Sequence, residues 1–218
     1  MNGKYQFRKL TPAEAPEMFR LIMERVAWMD EVGIRQWNVT KYDECYPQAY
    51  YAEHAAAGRV FCLTEASADH AATGDATDSP GDLILAVGLL LEEDERWPDT
   101  SDVSGVEASD TDGGEQRSAN GGEQRGAERS ADGAVILPAN AYYLHHFATR
   151  VDAPKGVGGV FLQALEEYAA AQGKDWFRLD SADGNEKLDA YYTGRGYEPA
   201  GTCVDGLYYG ILRQKKLK

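Results

Sequence analysis

Residues 154–159 read Pro-Lys-Gly-Val-Gly-Gly and lie between a predicted strand, Ala141 to Thr149, and a predicted amphipathic helix. Glycines let a backbone approach a ligand closely, and the N–H groups that open a helix are unpaired donors at the positive end of its dipole. A diphosphate suits such a turn. The stretch does not fit the Walker pattern or the dinucleotide fingerprint, so it leaves several nucleotide-like ligands open, and no ligand at all.

Length and composition favour one domain over residues 1–218, because 218 residues can bury a full core. No apolar run is long enough to span a membrane, and the first residues lack the apolar core of a signal peptide. We therefore expect a cytoplasmic protein without a membrane partner. Cys45, Cys62 and Cys203 are widely spaced, which predicts neither a disulfide framework nor a metal site.

The formal net charge of −14 is concentrated in two segments. Residues 66–82 and 92–134 contain 17 Asp and Glu but four Arg, so they account for all but about one of the negative charges. The rest of the chain has no basic stripe, which argues against a nucleic-acid partner. Around Arg150 and Lys155 we expect locally positive charge.

The same two acidic segments have the composition of insertions, which we place at 66–82 and 95–134. Both are poor in large apolar residues, and Gly-Gly-Glu-Gln-Arg occurs twice, at 113–117 and 121–125. Tracts of this kind are typical of disorder. An alternative is that the longer insertion binds a partner protein.

Outside the insertions the hydrophobic pattern predicts the order β-α-α-β-β-β-α-β-α-β-β, an α/β (α+β) class fold. Such an order favours a mixed, mostly antiparallel sheet of about seven strands flanked by about four helices. The predicted helices begin at Pro12, Tyr46, the glycine turn and Glu186, and the predicted strands are 4–10, 60–65, 83–91, 141–149, 176–179, 197–203 and 207–212.

With this order, the chain resembles the GNAT superfamily of acetyl-CoA-dependent N-acetyltransferases over nearly all of its length except the insertions. The family's motif, Arg/Gln-x-x-Gly-x-Gly/Ala, matches residues 153–158, with both glycines present at Gly156 and Gly158. Ala153 replaces the leading Arg or Gln, and Pro154 has no N–H to donate. The resemblance implies that the coenzyme diphosphate lies on Lys155, Gly156, Val157, Gly158 and Gly159.

A second family signature is present in Tyr191-Tyr192-Thr193-Gly194-Arg195-Gly196-Tyr197. By the resemblance, acetyl-CoA lies in a cleft between splayed strands, with main-chain groups of Phe147, Ala148 and Thr149 along its pantetheine arm. Asn185, which opens the helix that carries Tyr192, caps that helix and contacts the coenzyme.

The resemblance also implies catalytic roles. Tyr192 donates a proton to the departing thiolate, since a phenol stays protonated at neutral pH, and Tyr191 packs inside. His145 is the candidate base, because imidazole titrates near neutral pH. Neighbouring strand residues face opposite ways, so at most one of His145 and His146 should face the cleft. A hydrogen-bonded core histidine and a relay through water are the alternatives.

The acceptor site is expected along the first helices, where Trp28, Glu31 and Trp37 combine indoles with a carboxylate that could hold a cationic amine. Surface charge and core packing are the alternative reading of these residues. The predicted function is transfer of acetyl from acetyl-CoA to a primary amine of a small molecule or peptide by direct attack. A coenzyme-binding or sensing module of the same fold without turnover is the alternative, and a homodimer stays open.

Overall fold

A seven-stranded sheet carries the fold in this computed structural model, which describes residues 4–66, 83–97 and 140–217. The strands are β1 Tyr5–Lys9, β2 Val60–Glu65, β3 Ile84–Leu91, β4 Ala141–Thr149, β5 Trp176–Ala182, β6 Glu198–Asp205 and β7 Tyr208–Lys216. The helices are α1 Ala15–Glu31, α2 Tyr42–Cys45, α3 Gln48–Ala56, α4 Val157–Ala171 and α5 Glu186–Thr193. None of the described helices is long and apolar enough to cross a membrane.

The spatial order of the strands is β1-β2-β3-β4-β5-β7-β6. β4 and β5 are parallel, because α4 connects them as a crossover, and the other neighbours pair antiparallel. This confirms the predicted mixed, mostly antiparallel sheet. The described residues 4–66, 83–96 and 140–217 form one compact unit.

The second predicted helix differs from the sequence prediction. The helix predicted over 46–57 begins at Gln48, because Pro47 caps α3 and disfavours helical backbone before it, and the single turn α2 precedes it outside the predicted range. Five helices therefore flank the sheet in the part of the chain that the structure describes. The insertions at 66–82 and 95–134 lie outside the described residues except for residue 66 and residues 95–97, so their disorder stays a prediction.

Apolar residues alternate along the strands and fill a core on each face of the sheet. In β2, Phe61 and Leu63 face α4, whereas Val60 and Cys62 face α1 and α3. Phe161 of α4 is fully buried in the first core. α4, which begins at the glycine turn, therefore packs on one face of the sheet, and α1 and α3 pack on the other.

A bulge in β4 and the parting of β4 from β5 open the sheet. Two consecutive residues of β4, His146 and Phe147, lie opposite the single Gly88 of β3, and His146 has a left-handed backbone with φ of +50°. On the other edge of β4, pairing with β5 ends at Leu144 and Leu179 although both strands continue. The main-chain groups of the last β4 residues that point towards β5 therefore have no β5 partner and face the opening.

We expect Phe161→Ala to lower the free energy of unfolding by about 3–5 kcal/mol, because the large side chain leaves a cavity between α4 and the sheet. Denaturant titration measures this. Gln163→Ala is the matched control, since Gln163 is exposed on the same helix, and a loss as large in the control would contradict the packing described.

Candidate functional site

A long groove of about 520 Å³ runs from α1 past the end of β4 to the glycine turn and α5. It is lined by all ten of the residues that were predicted to bind the coenzyme. These are Phe147, Ala148, Thr149, Lys155, Gly156, Val157, Gly158, Gly159, Asn185 and Tyr192. The structure therefore brings the two sequence motifs to one groove.

The glycine turn has the backbone that its composition predicts. Gly156 caps α4 with a left-handed φ of +91°, a conformation that favours glycine. The N–H of Val157 donates to the Pro154 carbonyl at 3.2 Å, whereas the amides of Gly158 and Gly159 lie in the first helical turn, where the helix provides no acceptor. A Cβ on Gly158 would lie 3.3 Å from Thr149 Cγ2. The turn thus presents donors close against the end of β4.

Positive side chains surround this turn. Lys155 and Lys187 line the groove beside it, and the guanidinium of Arg195 lies so close to Gly159 that a Cβ there would clash with it. Arg25 of α1 donates to the Thr149 carbonyl at 2.5 Å, which occupies one of the main-chain groups predicted to pair with the pantetheine arm. Basic groups and helix amides together suit an anionic ligand.

A second, smaller space of about 110 Å³, the inner cavity, adjoins the groove. Gln36, Trp37, Phe147 and Tyr192 line both, so the two spaces meet at these residues. His145 and Asp180 are the first residues after the last β4–β5 pair, and both line the inner cavity. A ligand in the groove and a second molecule in the cavity would meet beside Tyr192.

His145 lies in a network of charged side chains. Arg96 donates to His145 Nδ1 at 3.1 Å, and His145 Nε2 lies 3.2 Å from Asp94 Oδ2. Because a guanidinium only donates, the lone pair of Nδ1 accepts from Arg96 in this arrangement. Arg96 also contacts Asp180 at 2.9 Å. Burial alone would raise the pKa of Asp94, but the adjacent His145 and the hydrogen bonds from Arg96 hold that pKa well below its usual range.

Both adjacent histidines line the inner cavity, so the expectation that at most one faces it is wrong. The bulge is the reason, since its extra residue reverses the alternation: His146 contacts Tyr42 and Phe147 stacks on Phe161 across the sheet. Tyr42 Oη lies 2.5 Å from His146 Nδ1. Burial lowers the pKa of His146 well below its ordinary value, and the positive charge of Arg96 acts in the same direction.

α5 carries Tyr192 to the junction. Asn185 caps the helix by accepting from the N–H of Leu188 at 3.2 Å, as predicted, and also lines the groove. Tyr192 is buried, which raises its pKa, and the nearby Tyr191 and Asp180 raise it further. Tyr191, expected inside, is only half-buried and lies under the guanidinium of Arg195.

The residues predicted for the acceptor site are dispersed. Trp37 lies at the junction, Trp28 lines the long groove, and Glu31 is exposed and lines neither space. The carboxylates of the inner cavity come instead from β5 and β6, as Asp180 and Asp205. Asp180 and Arg96 were not predicted as site residues. Asp180 lies at the carboxyl end of a predicted parallel strand, and this position could have marked it. Arg96 could not be found in this way, because it fell within a segment assigned to an insertion.

We expect the imidazole of His146 to stay neutral from about pH 7 down to about pH 5.5. An ordinary imidazole, with a pKa of about 6.5, would take up a proton in this range. NMR titration of the His146 ring signals measures this. In the unfolded chain His146 would bind a proton in that range, whereas in the folded protein it would not. This residue therefore makes the free energy of unfolding fall as the pH drops through that range. Ring signals that shift with a pKa near 6.5 would contradict the buried, neutral assignment.

No protein-family model matches the sequence, and neither does any protein of curated function. Solved structures do. An acetyltransferase of the GNAT family from Listeria monocytogenes aligns with a TM-score of 0.61 at 16% identity, covering 98% of this chain and 95% of that one. The PaiA N-acetyltransferase from Thermoplasma acidophilum, solved in complex with coenzyme A, gives 0.57 at 14%, covering 97% and 98%.

A third structure is YncA from Salmonella typhimurium, a putative acetyltransferase with its cofactor acetyl-CoA. It gives a TM-score of 0.53 at 11% identity, covering 98% of this chain and 94% of that one. Identities this low establish the architecture of the sheet and helices. The chain therefore has the fold of the GNAT acetyltransferases.

Proposed function

We propose that this protein is an N-acetyltransferase that moves an acetyl group from acetyl-CoA to a primary amine of a small molecule or peptide by direct attack. Acetyl-CoA supplies a thioester, which an unprotonated amine can attack. The observation that carries the proposal is the junction of the long groove with the inner cavity at Phe147 and Tyr192. Two substrates in separate spaces would meet there.

The groove fits the coenzyme. Its diphosphate would lie on the first-turn amides of Gly158 and Gly159, beside Lys155. These donors would compensate for the Arg or Gln side chain that is missing at Ala153 and for the N–H that Pro154 lacks. Main-chain groups of β4 beyond Leu144 have no β5 partner and would bind the pantetheine arm as an added strand does. Support comes also from the two structural relatives that contain coenzyme A or acetyl-CoA.

Tyr192 is the proposed general acid. Burial raises its pKa, so the phenol keeps its proton at neutral pH and can donate it to the departing thiolate. Tyr192 lies at the junction of the groove and the inner cavity, which is where that thiolate would form.

His145 is the proposed base. In the observed arrangement Asp94 faces Nε2, and the lone pair of Nδ1 accepts from Arg96. Asp94 would orient the ring and stabilise the imidazolium, as a carboxylate does for histidine in other enzymes. Nδ1 can take the proton of the amine once Arg96 releases it, so Arg96 controls access to the base.

The alternative function, coenzyme binding without turnover, rests on two observations. The loop lacks the leading Arg or Gln of the motif, and Arg96 occupies the nitrogen that the base needs. Thiol release separates the alternatives, since a binding module releases no free thiol in the presence of amines.

We expect Tyr192→Phe to lower the rate of amine-dependent thiol release by about a hundredfold or more, because the phenyl ring has no proton to give. Affinity for coenzyme A should change little, since the ring keeps its packing. Tyr209→Phe is the control, as Tyr209 is exposed and lines neither space. Unchanged turnover in Tyr192→Phe would refute the role of Tyr192.

We expect Gly158→Val to weaken coenzyme A binding by about tenfold or more, because a branched side chain would meet Thr149 and cover the first-turn amides. Isothermal calorimetry measures the affinity. Gln163→Val places the same side chain on the exposed face of α4 and should bind as the wild type does. Equal affinity in both variants would place the diphosphate elsewhere.

A further inference from the structure

The inner cavity has an excess of negative charge. Asp180 and Asp205 line it, and Asp94 adjoins it behind Arg96 and His145. Arg96 pairs with Asp94 and Asp180, and the Nδ1 of His145 accepts from Arg96. Three carboxylates against one guanidinium leave two negative charges in excess.

Arg96 is fully engaged within this network. It donates to both carboxylate oxygens of Asp94, at 3.1 and 2.9 Å, and contacts Asp180 at 2.9 Å. Asp205, at the end of β6, makes no ion pair with any part of the chain that the structure describes. Its charge reaches the cavity wall, because it adds to burial in raising the pKa of Tyr46. The uncompensated charge is thus at the β6 end of the cavity.

Aromatic rings form much of the remaining wall. Trp37 stacks on Tyr42 with ring centroids 5.2 Å apart, and Tyr46 lies 4.9 Å from Tyr42. Tyr208 donates its hydroxyl to Asp180 at 2.6 Å. Aromatic faces beside carboxylates attract cations and leave an anionic or wholly apolar ligand poorly matched.

We propose that the acceptor is a small amine with a second, non-reacting positive charge, which Asp205 and Asp180 bind while the reacting nitrogen lies beside Tyr192. This inference rests on the proposed function. The reacting nitrogen must be neutral to attack, and the amide that it becomes is neutral as well. Only a second cation can therefore match the negative charge of the cavity throughout the reaction.

The test compares three acceptors of one chain length in the thiol-release assay with the full chain: diaminobutane with terminal amines, butylamine and the terminal aminobutyrate. We expect kcat/KM to fall in that order, with about a tenfold advantage of the diamine over butylamine. Butylamine or aminobutyrate reacting as well as the diamine would overturn the inference.

Variants locate the effect. Asp205→Asn should reduce the ratio of diamine to butylamine kcat/KM several-fold, because it removes the unpaired carboxylate. Glu198→Gln removes an exposed carboxylate from the same strand, outside both spaces, and should leave the ratio unchanged. An unchanged ratio in Asp205→Asn would overturn the assignment of that residue.

Calorimetry with coenzyme A present keeps this test independent of turnover. The diamine should bind more tightly than butylamine, and Asp205→Asn should reduce that preference. If no amine releases thiol, the proposed enzyme function fails for these amines, and the binding preference alone decides the charge inference. Equal binding of the diamine and butylamine would overturn it.

Discussion

The parting of β4 from β5 after the Leu144–Leu179 pair is the constraint on which the site depends. Up to that pair the strands satisfy each other's main-chain groups. Beyond it the two strands diverge, so β4 keeps unpaired groups for a ligand and the space between the strands becomes the junction of the groove and the inner cavity. The bulge opposite Gly88 strengthens this effect, because it turns both histidines towards the opening.

The same constraint places the charged groups. His145 and Asp180 are the first residues past the last pair, one on each diverging strand, and Arg96 joins them. In the proposed mechanism this single arginine, which lies between two carboxylates and the imidazole, blocks the base until the arginine moves. The negative charge that Arg96 leaves uncompensated in the inner cavity is the physical basis for the proposed cationic acceptor.

Much of the fold could be predicted from the sequence because the signals were local. Alternation in β2, the glycine at 156 and the asparagine cap of α5 each specify one conformation through their own neighbours. The predicted strand and helix order was confirmed, and with it the mixed sheet.

The inner cavity could not be predicted in this way. Its geometry depends on a bulge, which breaks the alternation rule used for His145 and His146, and no local signal in the two residues marks it. Its charge depends on residues of β3's following loop, β5 and β6, which the fold brings together across the chain. Glu31 was predicted as an acceptor-site residue from its neighbours in the sequence. It lies outside the site, because the fold and not the local sequence brings the lining residues together.

The most direct test is a crystal structure of the protein with coenzyme A. The account predicts the diphosphate on the amides of Gly158 and Gly159 and the thiol sulfur within about 3–4 Å of the Tyr192 hydroxyl, at the junction. A coenzyme bound along another surface, or a thiol that ends away from Tyr192 and the inner cavity, would contradict it.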